Sequence, residues 1–271
     1  MAVVLAACVA PCLGQSKAPS SAAHCGEVVT LQTHGRTTTR YAGPPGVPAP
    51  GQIALVLLVG GGGHLDLDAG GCPRALTGNS LVRSVRLFHD QGFVTALVDA
   101  PSDHPGEDGL AGFRVEAPHA KDIGRVITDL RGRGNTGVWL VGTSRGTISA
   151  VNAASRPSPP AAPDGVVLTS VLTVGSQSRP RPWVRLTVFD LKLDAIRVPL
   201  LMIGHAADLC LRSPAALMRD VATRTRSARQ QTVTVTGGPG NPVGAQSSIE
   251  ACEGRTPHGF VGQEAEVAAG I

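Results

Sequence analysis

"VWLVGTSRGTISA", residues 138–150, is the stretch on which the reading of this chain turns. An apolar, β-branched run ends in Gly142-Thr143-Ser144-Arg145-Gly146 and passes directly into a small-residue pattern of helical type. That order predicts a buried strand, a sharp turn with a glycine on each side of the serine's neighbours, and a helix. A serine at such a turn projects above a sheet edge and sits at a helix N-terminus, where negative charge is favoured. In a chain with 34 glycines a GxSxG pattern alone is weak, so its surroundings decide.

Outward from this stretch the chain keeps one rhythm. "IALVLLV" (53–59), "FVTALVD" (93–99), "VWLVG" (138–142), "VVLTSVL" (166–172) and "VPLLMIG" (198–204) are continuous apolar runs, and "TVTVT" (232–236) reads as a sixth strand. Runs of this kind suit strands buried on both faces of a parallel sheet. Helical patterns fall between them at 81–91, 117–131, 147–154 and 213–225. The alternation predicts an α/β fold with a doubly wound, mostly parallel sheet. Ahead of it, "EVVTLQT" and "TTTRYA" read as an antiparallel pair turned at "HGR", followed by a rigid connector, "AGPPGVPAPG". Residues 25–271 are read as one catalytic domain.

The composition narrows the classes further. With 271 residues, 42% hydrophobic and 16% charged, the chain can bury a large core and is not disordered. A net charge of +4 without a basic run or interleaved aromatics argues against nucleic acid as a partner. Residues 1–24 read as an export signal and leader: an apolar run, then a Ser/Ala/Pro stretch, too short to span a membrane. "LAAC" (5–8) also resembles a lipoprotein cleavage box with Cys8 as anchor, although an ordinary signal peptide is the preferred reading. The expected localisation is periplasmic or secreted. Cys25, Cys72, Cys210 and Cys252 then remain, enough for two disulfides with three pairings. Neither CxxC nor HExxH occurs, so a thiolate zinc site or zincin helix is not expected.

A serine hydroxyl is a poor nucleophile until a base takes its proton. In strand–elbow–helix hydrolases the partners follow in the order Ser, Asp or Glu, then His. Asp208 stands in "HAADLC", just past the run at 198–204, and His258 in "TPHGF" is the only histidine downstream of it. On these residues, and on the elbow and strand order, residues 25–271 resemble the α/β-hydrolase superfamily, as an exported, esterase-like member without a large cap. The resemblance implies Ser144 as nucleophile, His258 as general base and acid, and Asp208 as the group orienting His258. It also implies an oxyanion hole from the backbone N–H of Arg145 and one donor in "LVGGGGHLDLD" (58–68), at Gly61 or Gly62. Here the chain departs from the HGGG order, because His64 follows the glycines. A Cys210–Cys252 bridge would tie the acid loop to the base loop, with Cys25–Cys72 as the default second pair.

Competing readings of the glycine run fail on detail. A Walker loop needs GK[ST], and the dinucleotide fingerprint needs a third glycine where Leu65 or Asp66 stands. His64, Asp66 and Asp68 are read as polar turn residues rather than metal ligands. "DAPSDHPG" (99–106) is expected beside the pocket, with Asp103 and His104 structural or facing substrate. Only about 25 residues separate the fourth and fifth apolar runs, enough for a connecting helix but not for a large cap, so the site should be open. The implied chemistry is hydrolysis of a small-molecule or polymeric carboxylic ester through an acyl-enzyme, with no metal or organic cofactor. The alternatives are another acyl hydrolase on the same triad (amidase, peptidase, thioesterase, lactonase or polyester depolymerase) and a non-catalytic secreted binding protein.

Overall fold

The computed structural model describes residues 25–44, 51–156, 159–176 and 182–271. The leader, Cys8 and most of the proline-rich connector lie outside these residues. Eight strands form one sheet: β1 (Glu27–Gln32), β2 (Thr38–Gly43), β3 (Ile53–Leu58), β4 (Val94–Val98), β5 (Gly137–Thr143), β6 (Gly165–Thr169), β7 (Leu200–His205) and β8 (Gln230–Val235). Their order is β1-β2-β4-β3-β5-β6-β7-β8. The β1–β2 and β2–β4 pairings are antiparallel, and every other pairing is parallel.

The period-2 geometry of the strands explains the layers. In β3, Ala54, Val56 and Leu58 point to one core, while Leu55 and Leu57 point to the other. Helices α2 (Ala117–Gly132) and α3 (Gly146–Ser155) cover the first face with Ile123, Ile127, Ile148 and Val151. The second face is covered by α1 (Ser80–Asp90) and α5 (Glu264–Gly270) with Leu81, Phe88, Val267 and Ala268. Helix α4 (Met218–Arg224) adds Met218 and Val221 to the first face. Both faces of the central strands are therefore closed, which is why they read as unbroken apolar runs.

Two expectations need correction. The segment before β7 holds no connecting α-helix among the described residues, which form 3₁₀ turns at Pro182–Arg185, Val188–Asp190 and Leu193–Ala195. Thr187 and Asp190 cap each other reciprocally, so that their turn closes at once. The helix expected at 213–225 starts later, as a 3₁₀ turn at Ala215–Leu217 leading into α4. Helix α5 was not anticipated from the sequence. Among the described residues no helix is long and apolar enough to cross a membrane.

Candidate active site

The turn after β5 is built on close approach. Ser144 has φ +51°, a left-handed conformation that a side chain seldom adopts and that costs about 1–3 kcal/mol. A Cβ on Gly146 would lie 1.9 Å from the Leu58 carbonyl oxygen, and one on Gly142 2.6 Å from the Gly146 carbonyl oxygen. Only glycine fits at both positions, so the GxSxG pattern is a packing requirement here. The Ser144 N–H donates to the Thr169 carbonyl at 3.0 Å, and the Ser144 carbonyl accepts from the N–H and the hydroxyl of Thr147.

His258 lies in a 3₁₀ turn, Pro257–Gly259, capped by Thr256. Ser170, just past β6, donates its hydroxyl to the His258 carbonyl at 2.7 Å. Asp208 lies in the loop after β7, with its N–H on the His205 carbonyl and one carboxylate oxygen accepting from the Cys210 N–H at 2.8 Å. Its other oxygen is 2.9 Å from His258 Nδ1, and both side chains are buried. Ser213 completes this group: its hydroxyl donates to the same Asp208 oxygen at 3.1 Å and lies 2.9 Å from His258 Nδ1. His258 Nε2 is buried and has no hydrogen-bond partner among the described residues.

The loops carrying Asp208 and His258 are fastened together. Cys210 is bonded to Cys252, and Cys25 to Cys72. Beside the first bridge, the Ser248 N–H donates to the Leu209 carbonyl and the Leu211 N–H to the Ser248 carbonyl. Arg83 of α1 holds the base loop from beneath, donating to the carbonyls of Gly254 and Gly259 and pairing with Glu264 at 2.6 Å.

The glycine run forms a turn closed by the Gly63 N–H on the Gly60 carbonyl. Gly61 and Gly62 occupy its corner, where amides take no part in the closing bond. Gly61 has φ +55°, and a Cβ on Gly62 would lie 2.1 Å from the Glu107 carbonyl oxygen. Underneath lies Arg114, fully buried, donating to the carbonyls of Val59 and Gly61 at 3.1 Å and to the Ser149 hydroxyl at 2.7 Å. Burial, and then the charge of Arg145, push its guanidinium below the ordinary arginine range. His119 lies against the same Ser149 hydroxyl at 2.9 Å, and burial with the nearby Arg114 charge lowers its pKa to about 3. The buried Asp99 anchors the rest of the loop by accepting from the N–H groups of Leu65, Leu67 and Ala100.

A cavity of about 640 Å³ opens where these parts meet, and Ser144, His258, Gly61, Gly62 and Arg145 all line it. Asp208 stands behind His258, away from the lining. The segment 99–106 does not line it; Glu107 and Asp108, immediately after, do. Asp103 instead lies 3.0 Å from His34 Nε2, and His104 stacks on Phe113. Asp68 accepts from the N–H groups of Gly70 and Cys72 and so acts as a turn residue, whereas His64 accepts from the Gly106 N–H and ties two loops together. Ser213 and Arg114 were missed from the sequence; neither belongs to a motif of fixed spacing.

No family model matches the chain, and no curated protein does. Solved structures do resemble it. Esterase 2 of Thermogutta terrifontis, in its apo form, is 17% identical over 90% of this chain and 92% of its own, with a TM-score of 0.57. DcsB, solved with a substrate analogue, is 13% identical over 90% and 96%, with a TM-score of 0.59. The α/β hydrolase GrgF from Penicillium sp. sh18 is 12% identical over 78% and 90%, with a TM-score of 0.54. At such identities the likeness is one of fold, and together with the strand order and the helices on both faces it shows the α/β-hydrolase fold.

Proposed function

We propose that the chain is a serine esterase in which Ser144 attacks the ester carbonyl, His258 moves the proton and Asp208 orients His258. The observation that carries this reading is the 2.9 Å Asp208–His258 contact, set behind a cavity that His258 shares with Ser144. Asp208 accepts from Nδ1–H, which fixes the tautomer and leaves the Nε2 lone pair as the base. The Ser144 proton passes to Nε2 as Oγ bonds to the carbonyl carbon. The imidazolium then protonates the leaving alkoxide, and water repeats the sequence on the acyl-enzyme. Removing Ser144 as Ser144→Ala should abolish turnover of p-nitrophenyl esters by several orders of magnitude with the fold intact. A fluorophosphonate should label Ser144 in the parent. Labelling elsewhere, or undiminished turnover by the folded variant, overturns the assignment.

The tetrahedral oxyanion would be held by the N–H groups of Arg145 and Gly62. A trans peptide sets N–H opposite C=O. With the Gly61 carbonyl drawn down onto Arg114, the Gly62 N–H of that peptide points the other way, which favours Gly62 over Gly61. Among the described residues Leu76 is the single aliphatic side chain lining the cavity, beside Glu107, Asp108, Arg145, Glu253 and Arg255. A wall with so few aliphatic side chains suits a short acyl group, so activity should fall as the ester chain lengthens. Esterases and a dipeptidyl peptidase both occur among the structures of like fold, so parallel assays on ester, amide and thioester substrates test the choice of an ester. Two disulfides suit an oxidising compartment, in keeping with export.

A further inference from the structure

Outside the active-site cavity, the β1–β2 turn, the loop after β4 and helix α2 bring His34, Asp103, His104 and Asp122 together. His34 Nδ1 lies 2.6 Å from the Asp122 carboxylate, whose other oxygen accepts the His34 backbone N–H at 2.9 Å. The Asp122 side chain is buried, at 3% exposure, so this orientation is fixed from inside the protein. The ring's other nitrogen, Nε2, faces the Asp103 carboxylate at 3.0 Å, and His104 Nε2 lies 3.9 Å from that same oxygen. All three atoms lie within 4.8 Å of one another. Phe113 holds both rings, stacking on His104 at 4.2 Å and lying 4.8 Å from His34.

With Nδ1–H committed to Asp122, His34 Nε2 donates to the Asp103 oxygen when the ring is protonated, and in the neutral ring the Nε2 lone pair and that oxygen are two acceptors facing each other. Such a pair is repulsive unless a positive centre stands between them. We propose that His34, Asp103 and His104 form a binding site for a divalent first-row transition ion of the Zn²⁺ class. Two nitrogens and a carboxylate oxygen are a donor set of that class. Ligand atoms on a tetrahedral ion with bonds of about 2.0–2.1 Å lie roughly 3.3 Å apart, so the side chains need move by less than about 1 Å. A buried carboxylate behind a ligating histidine is also the usual outer-shell partner, holding ring and tautomer. The ion would pin the loop whose next residues, Glu107 and Asp108, border the cavity, and whose Leu110 N–H holds the Gly62 carbonyl. It would not touch Ser144 or His258, so the proposal stands apart from the esterase reading.

The test is calorimetric titration of the metal-stripped, full-length protein with zinc chloride in a non-chelating buffer, with calcium chloride as the hard-cation control. One zinc per chain is expected, and no calcium. His104→Ala and Asp103→Asn should each weaken zinc binding at least about tenfold, and Asp122→Asn by about 10–100-fold. His258→Ala should bind zinc as the parent does. His104 and Asp103 are partly exposed, and circular dichroism in chelator checks that their variants fold. If Asp122→Asn unfolds, the two surface variants decide alone. Absence of binding at micromolar zinc overturns the proposal. So does binding that survives both surface changes, or binding lost with His258.

Discussion

Replacing Cys210 and Cys252 together by serine should impair catalysis beyond its effect on stability, and the second disulfide supplies the control. The bridges close loops of similar length, 42 residues for Cys210–Cys252 and 47 for Cys25–Cys72. In the chain-entropy model each is worth about 4 kcal/mol, and the difference in length changes that by only about 0.1 kcal/mol. The two double variants should therefore lose similar stability in urea titrations. Their places in the site are different. Cys210 donates its N–H to Asp208, and Cys252 lines the cavity six residues before His258, whereas Cys25 and Cys72 lie outside the lining. Without the bridge, the Leu209–Ser248 and Leu211–Ser248 hydrogen bonds still join the two loops, but nothing covalent fixes their separation. A displacement of about 1 Å between catalytic groups can cost on the order of a hundredfold in rate. Steady-state ester hydrolysis at a temperature where all three proteins are folded should show a kcat lowered by about tenfold to a hundredfold for Cys210→Ser/Cys252→Ser, and near the parent's for Cys25→Ser/Cys72→Ser. Equal kcat in all three, or equal loss in both variants, refutes the reasoning.

Asp208→Asn should lower kcat by about 10⁴, because the amide can turn its N–H₂ toward the ring and impose the wrong tautomer. Asp190→Asn and Asp194→Asn should leave kcat unchanged in the same assay, since Asp190 caps Thr187 and Asp194 is exposed near Arg226. Ser213→Ala removes one hydrogen bond to a carboxylate, an interaction of about 1.5–3 kcal/mol, so kcat should fall roughly tenfold with KM little changed. Ser213→Thr, which keeps the hydroxyl, should recover it if it packs. His119 gives a stability prediction with a fixed sign. Its folded pKa, about 3, lies below the ordinary 6.5, so the unfolded state binds a proton that the folded state refuses. Its contribution is complete above pH 6.5 and is lost as pH falls toward 3, at about 1.4 kcal/mol per pH unit. Urea titrations at pH 7 and pH 5 should show this slope in the parent and a shallower one in His119→Gln.

The sheet was legible because its central strands are covered on both faces, which forces continuous apolar runs that no exposed helix would carry. The elbow was legible for a related reason: a Cβ at Gly142 or Gly146 would meet a backbone oxygen at 2.6 Å or 1.9 Å, and such close approach leaves a trace in the sequence. Asp208 and His258 could be picked out by chain order alone, and the structure brings them into contact. The parts that escaped depend on contacts between distant residues of ordinary type. Ser213 is one serine among many until the loop after β7 folds back on His258. Helix α5 has only Val267 and Ala268 as buried anchors, too few to stand out at the chain's end. The segment 99–106 was expected at the cavity because it follows a strand at the correct edge. The loop turns there, however, and delivers Glu107 and Asp108 to the lining while Asp103 and His104 meet His34.

Arg114 was the least legible residue, since a charged side chain in the sequence is ordinarily a solvated one. It is 1% exposed, and its guanidinium donates to two carbonyls and a hydroxyl, all neutral. Removing an arginine charge from water costs several kcal/mol even after relaxation, a penalty difficult to offset with neutral partners. Its position shows what the charge can accomplish. It lies beneath the glycine turn and beside α3, so its field adds to that of the α3 N-terminus, where the proposed reaction would develop negative charge on an attacked carbonyl. The carbonyls of Val59 and Gly61 are turned toward it, which orients their peptides before any substrate arrives. Donors held in advance need no reorganisation when the oxyanion forms, and that preorganisation is where electrostatic catalysis gains most. Burial and this charge together explain the neighbouring imidazole. Arg114 occupies one side of the Ser149 hydroxyl as donor, leaving the hydroxyl proton for His119 Nε2, and a second positive charge there would be repelled. A neutral His119 is thus a consequence first of its burial and then of the Arg114 charge, and the loss of acid stability that follows is a cost of burying both beneath the glycine turn.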